Sequence, residues 1–456
     1  MIVPRTRLLV WFALIVVPFA TLAGVVPATS TVAGIAIVLF LVTVALDAFL
    51  ALNTLHGIAI DLTPLARATQ DRTFPITVRV DNPWRRARTL RIALAFPPEL
   101  RPVMDESTVQ LPAESEWSSF TWNCAGAQRG KFQITSARIE ASSTLGFWSR
   151  WKTVPTACEV RVYPNLSRDR NNLAALFMNR GAFGIHAQRQ IGRGRDFEKL
   201  REYIPGDSFE DVHWKATAKR GHPVTKVYQI ERTQEVYVIL DASRLSARRV
   251  SSSSGNAAQL ETQNSKPETT SLERFITAAL VLGLAAEQQG DLFGLLTFSD
   301  KIETFIRARN GKSHYHACRD ALYTLQAREV APDFDELSTF IRLRLRRRAL
   351  LIFLTSLDDP VAAESFVRNM DLLCRQHLVL VNMLQPPGVR PIFSNENVTN
   401  SSELYGELAG HLRWNGLREL EKVLQRRGVR LSLLQSEKLA VEMVSQYVNV
   451  KQRQAL

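Results

Sequence analysis

The chain has 456 residues, of which 46% are hydrophobic and 22% are charged. This length exceeds what one hydrophobic core usually supports, and the balanced composition excludes a disordered chain, so we expect two or three folded domains. A net charge of +13 predicts an anionic partner, either nucleic acid or the cytoplasmic face of a membrane. The four cysteines lie far apart without a C-x-x-C motif, which is typical of reduced thiols in a cytosolic environment.

Two apolar runs, residues 8–26 and 31–46, dominate the N-terminus. Each approaches the ~20 residues that cross a hydrocarbon core, and the short connection between them predicts a hairpin of two transmembrane helices within residues 1–52. Arg5 and Arg7 precede the first run, whereas the connection carries no Lys or Arg. The positive-inside rule then predicts a multi-pass protein with both termini in the cytoplasm. A cleaved signal peptide is the alternative, and the second apolar run disfavours it.

Residues 70–165 contain short runs in which apolar and polar residues alternate, such as 76–80 and 90–94, separated by proline-containing turns. This pattern predicts an antiparallel β-sandwich of about the size of an immunoglobulin domain. Aromatic side chains are expected to fill its core. They are Trp117, Phe120, Trp122, Phe147, Trp148 and Trp151.

Residues 233–456 alternate predicted strands with predicted helices, which is typical of a doubly wound, Rossmann-like α/β domain with a parallel sheet. The strands are predicted at 235–240, 292–298, 302–306, 349–354, 378–384 and 429–434. The helices are predicted at 272–289, 313–327, 335–345, 361–376, 403–425 and 436–448. Residues 248–271 are rich in Ser and nearly free of large apolar side chains, so we expect a disordered loop inserted into this domain.

A candidate metal site follows the first strand of this sheet, because ligands of open parallel sheets bind beyond the carboxyl ends of the strands. Asp241 and Ser243 stand there, and Ser313 could supply a second hydroxyl from another loop. Oxygen ligands of this kind suit Mg²⁺. However, Leu245 occupies a position that needs a further hydroxyl, and Ser356 one that needs an aspartate. The sequence therefore predicts an incomplete Mg²⁺ site, with the alternative that Asp241 only accepts hydrogen bonds from loop amides.

Residues 185–232 mix charged and aromatic residues around a Pro-Gly-Asp turn. Ser208 and Asp211 have the spacing of a capping box, which predicts a helix over 209–220 that ends at Gly221. Asp211 and His213 are two residues apart and would not face each other on that helix. We therefore interpret the segment as architecture and assign no catalytic residue.

The same segment carries the pattern R-E-Y-x-P-G-D followed by W-K-A-x-A-[KR]-x-G, which resembles the bacterial domain-of-unknown-function fifty-eight family. Signature positions with an expected interaction role are Arg201, Glu202, Tyr203, Pro205, Gly206, Asp207, His213, Trp214 and Lys215. The resemblance implies a protein of the bacterial inner membrane with a cytosolic domain like von Willebrand factor type A. It also implies a non-enzymatic adaptor whose partner is a MoxR-type AAA+ ATPase or an envelope-assembly protein.

Two other functions are consistent with the residues. A metal-dependent enzyme could use Asp207, Asp211, His213 or Asp241. A binder of nucleic acid or anionic lipid could use the five arginines within residues 342–348, although a solvated helix end is the favoured interpretation of that run. Nucleic acid is the less favoured partner.

Overall fold

The computed structural model describes residues 1–26, 29–85, 87–167, 191–205, 207–229, 234–250, 269–392, 394 and 400–453, with the backbone alone at 191–199 and 227–229. The chain divides into two compact units, Met1–Asn165 and Leu166–Leu456.

The first unit begins with a short strand, β1 (Ile2–Pro4), and two long helices, α1 (Thr6–Val25) and α2 (Ser30–Ala51). Both helices have the length and apolar composition of membrane spans. None of the α1 residues is buried, and Pro18 lies within the helix. Two N-terminal apolar helices are therefore present, as the sequence predicted.

The rest of the first unit consists of β-strands. They are β2 (Ala59–Leu62), β3 (Leu65–Thr69), β4 (Thr73–Asp81), β5 (Arg88–Leu94), β6 (Leu100–Pro102), β7 (Ser107–Leu111), β8 (Trp117–Gly126), β9 (Gly130–Ser142) and β10 (Trp148–Tyr163). One sheet has the order β1-β10-β9-β5-β7, with β3 also paired to β10, and the other has the order β2-β4-β8-β6. Alternate residues of both sheets, such as Ile76, Ile92 and Val160, share one buried cluster.

The aromatic residues expected in this core are distributed differently. Trp122 is buried, but Trp117 is 52% exposed and lies under the guanidinium of Arg79 at 4.9 Å. Phe147 and Trp148 contact α2 instead, through the ring of Phe40 and the carbonyl of Val44. The sequence could not separate these positions, because alternation marks a face of a strand without saying what covers it.

The second unit contains the strands and helices predicted between residues 233 and 456, in the predicted order, together with two short strands that were not predicted. They are β13 (Glu235–Asp241), β14 (Arg249–Val250), β15 (Thr269–Thr270), α4 (Ser271–Gln288), β16 (Leu292–Phe298), β17 (Ile302–Arg309), α5 (Lys312–Leu322), α6 (Phe334–Arg344), β18 (Leu350–Leu354), α7 (Pro360–Leu373), β19 (Leu378–Leu384), α8 (Ser401–Arg426), β20 (Arg430–Leu434) and α9 (Leu439–Gln452). Before them come β11 (Ile191–Glu202), α3 (Trp214–Arg220) and β12 (Val224–Gln229), in which β11 and β12 form an antiparallel pair.

The main sheet has the order β17-β16-β13-β18-β19-β20, in which β17 is antiparallel to its neighbour and the other strands are parallel. Val236, Val238 and Leu240 of β13 pack in a cluster with α4, α5 and α9. Tyr237 and Ile239 pack in a second cluster with α6, α7 and α8. Helices therefore cover both faces of the sheet, which explains the nearly continuous apolar strands.

The predicted disordered loop at 248–271 is ordered at its ends, because β14 and β15 pair antiparallel. Residues 251–268 lie outside the described residues.

Candidate functional site

Asp241 is the last residue of β13 and is fully buried. Its Oδ1 accepts a hydrogen bond from the Ser243 amide at 2.8 Å, and its Oδ2 accepts one from the Thr355 hydroxyl at 2.6 Å. Burial raises the pKa of the Asp241 carboxyl, and the hydrogen bonds from Thr355 and Ser243 oppose this rise. The carboxylate thus joins the end of β13 to the residue that follows β18.

Ser243 and its neighbours form a closed turn after this strand. The Leu245 amide donates to the Ser243 hydroxyl at 3.4 Å, and the Ser246 hydroxyl donates to the Ser243 carbonyl at 2.8 Å. Leu245 is 4% exposed and belongs to the core cluster that contains α6 and α7. The position that lacked a hydroxyl in the sequence is therefore part of the hydrophobic core.

The segment between α5 and α6 covers this end of the sheet. The Arg328 amide donates to the Ala242 carbonyl at 2.7 Å, and the Arg244 amide donates to the Val330 carbonyl at 3.0 Å. These backbone bonds lie directly beyond Asp241 and help to exclude water from it.

Three ion pairs involve residues that follow β13, β16 and β18 in the sequence. Arg244 pairs with Asp359 at 3.4 Å, Arg248 pairs with Asp358, and Arg328 pairs with Glu303 at 2.9 Å. The acidic partners are the more buried members, with side chains 13–29% exposed. Asp359 also accepts a hydrogen bond from the Val361 amide at the start of α7.

These donors do not fit Mg²⁺, which requires several oxygen ligands in octahedral geometry. Both oxygens of Asp241 already accept hydrogen bonds, and Asp358 and Asp359 are held by arginines. Within the described residues there is no group of three or more His, Cys, Asp or Glu side chains that could hold a metal ion. One hydrogen bond to Asp241 comes from the amide of Ser243 in its own loop, as in the alternative interpretation, and the other comes from the Thr355 hydroxyl after β18.

Ser313 does not join this site. The strand β17 runs antiparallel to β16, so Ile302 lies opposite Phe298 whereas Arg309 lies opposite Phe293. Asp241 is aligned with Phe298 at the carboxyl end of β16. The strand β17 ends at the opposite end of β16, and α5 with the exposed Ser313 begins there. The grouping of Ser313 with Asp241 and Ser243 is therefore wrong.

Thr355 and Ser299 are the residues of this edge that the sequence reasoning missed. Ser299 directly follows β16, is fully buried, and has its hydroxyl 2.9 Å from carboxylate oxygens of both Asp300 and Glu303. Its hydrogen bond is the main reason that the pKa of Asp300 is lowered. Both missed residues stand immediately after a parallel strand, which is the signal that could have identified them.

The described part of residues 185–232, hereafter the signature segment, contains a second hydrogen-bonded carboxylate, that of Asp207. Its Oδ1 lies 2.6 Å from Arg201 Nη2, and its Oδ2 accepts from the Ile204 amide at 3.0 Å and from the Thr225 hydroxyl at 3.4 Å. The Ile204 amide, followed by Arg201, lowers the pKa of this carboxyl. Asp207 therefore holds the turn closed against β12, while Gly206 lies outside the described residues.

The predicted helix over 209–220 is interrupted. A single 3₁₀ turn spans Phe209–Asp211, and Ser208 makes no side-chain cap there. Val212 then forms a β-bridge with Thr225, which prevents helical hydrogen bonding at that point. The capping box is wrong, whereas the left-handed end at Gly221 is confirmed by its φ of 73°.

His213 takes the capping role instead. Its Nδ1 accepts from the Ala216 amide at 3.0 Å, and its own amide donates to the Val224 carbonyl at 2.8 Å. Both contacts are structural, and they orient the start of α3 against β12. Trp214 and Lys215 follow on the first turn of α3 and are exposed.

Large apolar side chains are exposed on the signature segment. Ile204 is 57%, Phe209 74% and Trp214 68% exposed. Tyr203 and Phe209 have ring centroids 6.0 Å apart, while Glu202 and Pro205 are exposed beside them. The hydrogen-bonded Asp207 turn and the start of α3 thus present apolar side chains to the outside.

Comparison with known proteins agrees with the sequence pattern over part of the chain. The matching family model is Protein of unknown function DUF58. It covers residues 199–389, from the signature segment through β19. Uncharacterized protein YeaD of Bacillus subtilis (strain 168) is 23% identical over 126 residues, which are 27% of this chain and 31% of that protein. The chain thus matches less than a third of this relative's length.

Solved structures show only distant likeness. An uncharacterized membrane spanning protein from Vibrio fischeri is 14% identical with a TM-score of 0.17, covering 48% of this chain and 98% of that one. The CARDB domain of the PF1109 protein from Pyrococcus furiosus is 13% identical with a TM-score of 0.15, covering 23% and 92%. Proximal thread matrix protein 1 from the mussel byssus is 11% identical with a TM-score of 0.25, covering 47% and 46%. With TM-scores this low, these likenesses support no conclusion about the function of this chain.

Proposed function

We propose that the chain is a non-enzymatic adaptor of the bacterial inner membrane that docks a MoxR-type AAA+ ATPase through its signature segment. The exposure of Phe209 and Trp214 inside the range matched by the family model carries this proposal. Aromatic side chains dominate the energetics of protein interfaces. An envelope-assembly protein is the other partner consistent with the same surface.

Membrane anchoring is supported by α1 and α2. Every residue of α1 lies outside the protein core, so a 20-residue apolar helix would face water in a soluble protein. A bilayer removes this cost, and the helix lengths suit its hydrocarbon thickness. We infer a multi-pass arrangement with both termini in the cytoplasm, because Arg5 and Arg7 precede α1.

The inferred fold assignments have separate support. The two antiparallel-rich sheets that share one core support a β-sandwich in the first unit. The strand order of the main sheet, the helices on both of its faces and Asp241 at the end of its first strand support a domain like von Willebrand factor type A. The poor fit of the Asp241 edge to Mg²⁺ weighs against metal-dependent ligand capture and against a metal-dependent enzyme.

Binding of full-length protein in detergent to a purified MoxR-type ATPase from the same organism tests the proposal. Phe209→Ala and Trp214→Ala should each weaken binding about 30-fold, because truncating an interface hot spot costs about 2 kcal/mol or more. Trp117→Ala is the matched control, since Trp117 is 52% exposed and lies in the first unit. Its affinity should stay within about twofold of the wild type. Unchanged binding by all variants, or no binding by the wild type, would refute docking through this surface.

A polyanion site is the second candidate, favoured by the basic run at the end of α6. Arg342, Arg344, Arg346, Arg347 and Arg348 are all exposed. Anionic lipid or nucleic acid would bind such a run with an affinity that falls steeply as salt rises.

A further inference from the structure

Residues 143–148, which comprise the loop between β9 and β10 and the first residue of β10, lie against the apolar helix α2. Asp47 is only 1% exposed, although it lies in α2. Its carboxylate accepts hydrogen bonds from the Ser143 hydroxyl at 2.6 Å, the Leu145 amide at 3.0 Å and the Phe147 amide at 3.3 Å. A carboxylate in an apolar helix is tolerated only when such partners satisfy it. The loop therefore has a fixed position relative to α2.

Two aromatic side chains of this loop reach along α2 toward its apolar middle. The Trp148 indole donates to the Val44 carbonyl at 3.0 Å, and the ring of Phe147 lies 6.2 Å from that of Phe40. Phe40 precedes Asp47 by seven residues, which is about 10 Å along a helix axis. The aromatic part of the loop thus lies beside residues of the candidate membrane span.

The start of the chain completes this arrangement. The Arg5 amide donates to the Phe147 carbonyl at 2.9 Å, and β1 pairs with the first residues of β10. The guanidinium of Arg7 lies against the turn at Gly146, whose φ is 78°. Consequently the beginning of α1, the end of α2 and the loop lie side by side, at one level along the helix axes.

The composition at this level matches a membrane–water interface. Leu145 is 53% exposed, and Phe49 and Leu50, which follow Asp47 on α2, are 71% and 56% exposed. Exposed apolar side chains, Trp indoles and arginines are the combination found where proteins contact lipid headgroups. Arg5 and Arg7 carry the charge that anionic lipids attract.

We propose that the loop 143–148 inserts into the cytoplasmic headgroup region of an anionic bilayer, so that the strand-rich first unit stands on the membrane at this end. This inference rests on the proposed membrane-spanning hairpin and adds a second, non-helical membrane contact. The opposite end of the unit lies in the aqueous phase. Gln128 is exposed there, just before β9, whose 13 residues span roughly 40 Å.

Nitroxide labels in full-length protein reconstituted into vesicles containing anionic lipid test this placement. Single cysteines replace Leu145, Leu39 and Gln128 in a Cys374→Ser background, because Cys374 is the native thiol that is not fully buried. Leu39 is 64% exposed on α2 and reports the hairpin itself. The quantity measured is accessibility to oxygen, which concentrates in lipid, relative to a water-soluble nickel chelate.

We expect the oxygen-to-nickel ratio at position 145 to lie well above that at position 128 and below that at position 39, because oxygen is more concentrated in the hydrocarbon interior than among the headgroups. A ratio at 145 equal to that at 128, with a high ratio at 39, would overturn the loop insertion while leaving the membrane span intact. A ratio at 39 as low as that at 128 would refute the membrane span, and the insertion with it. Since Leu145 and Gln128 are exposed, their replacement should not prevent folding.

Discussion

Replacing Asp241 by Asn and by Ala tests whether the carboxylate acts through its hydrogen bonds or through its charge. Asn keeps hydrogen-bonding groups but not the charge, whereas Ala removes both. The side chain of Asn can still accept from the Ser243 amide, and its own amide can donate to the Thr355 hydroxyl. Ala leaves both of these buried groups without a partner. Because the wild-type carboxylate accepts one hydrogen bond at each oxygen, Asn reproduces the geometry and Ala does not.

The magnitudes follow from the two lost hydrogen bonds. Each buried donor left unsatisfied costs about 1–3 kcal/mol, so Asp241→Ala should lower the unfolding free energy by roughly 2–6 kcal/mol. At about 2–4 °C per kcal/mol, that corresponds to a fall in melting temperature of roughly 4–24 °C. Asp241→Asn should stay within about 1 kcal/mol of the wild type at neutral pH, since it removes a buried charge as well as a hydrogen-bond acceptor.

The pH dependence gives an independent check. Burial raises the pKa of Asp241 in the folded state. The folded protein then binds this proton more tightly than the unfolded chain does, so the resulting stability is fully present below the unfolded pKa and is lost as the pH rises through the folded pKa. Asn does not titrate. The melting temperature of Asp241→Asn relative to the wild type should therefore increase as the pH rises from about 4 toward 8.

Thermal unfolding of the detergent-solubilised full-length protein, with and without Mg²⁺, measures all three forms. The reasoning fails if Asn is as destabilising as Ala at every pH. It fails equally if Mg²⁺ stabilises the wild type but neither variant, because that result would require a cation at the carboxylate.

Two further substitutions test contacts that hold the second unit together. Asp291→Asn removes a 1% exposed carboxylate that pairs with Lys451 at 2.8 Å and accepts from the Tyr447 hydroxyl. Thermal unfolding should show a loss of about 3 kcal/mol, because the single oxygen of the amide cannot replace both oxygens of the carboxylate as acceptors. Gly221→Ala should cost about 1 kcal/mol in the same assay, since the left-handed end of α3 has a φ of 73° while no atom within 4 Å would obstruct a methyl group.

Matched controls isolate the stated causes. Glu421→Gln breaks the exposed pair with Arg418, whose side chains are 33% and 51% exposed, and should cost less than about 1 kcal/mol. Gly416→Ala lies inside α8 with open space around it and should stabilise the protein by up to about 1 kcal/mol. Equal effects of Asp291→Asn and Glu421→Gln, or of the two glycine substitutions, would contradict the burial and backbone arguments respectively.

Apolar periodicity was sufficient to predict the strands and helices between residues 233 and 456 apart from the short β14 and β15, because strands covered on both faces and helices covered on one have distinct patterns. Apolar periodicity does not predict the direction of a strand. The antiparallel course of β17 depends on pairing with β16, and this single reversal removes Ser313 from the edge where Asp241 lies. Periodicity is identical for either direction of a strand. The three residues between the predicted strands 292–298 and 302–306 are too few for a parallel crossover, so the length of the connection was the signal that could have revealed the error.

Local capping rules failed where a distant residue competed with them. Ser208 and Asp211 have suitable spacing, but the bridge between Val212 and Thr225 breaks the helix before it can form. Asp47 is a similar case. In the sequence it marks the end of an apolar run, whereas its hydrogen-bond partners are 96 to 100 residues away. Contacts of this separation need a fold to reveal them.

The distribution of exposed apolar area bears on where a partner can bind. At the Asp241 edge, backbone bonds from residues 328–330 and three ion pairs cover the sheet, so binding there would first require those contacts to open. The signature segment needs no such rearrangement, because Phe209 and Trp214 are exposed already. A second apolar strip, Leu404, Leu408 and Leu412, lies along the first half of α8. It falls outside residues 199–389, the range that the family model matches.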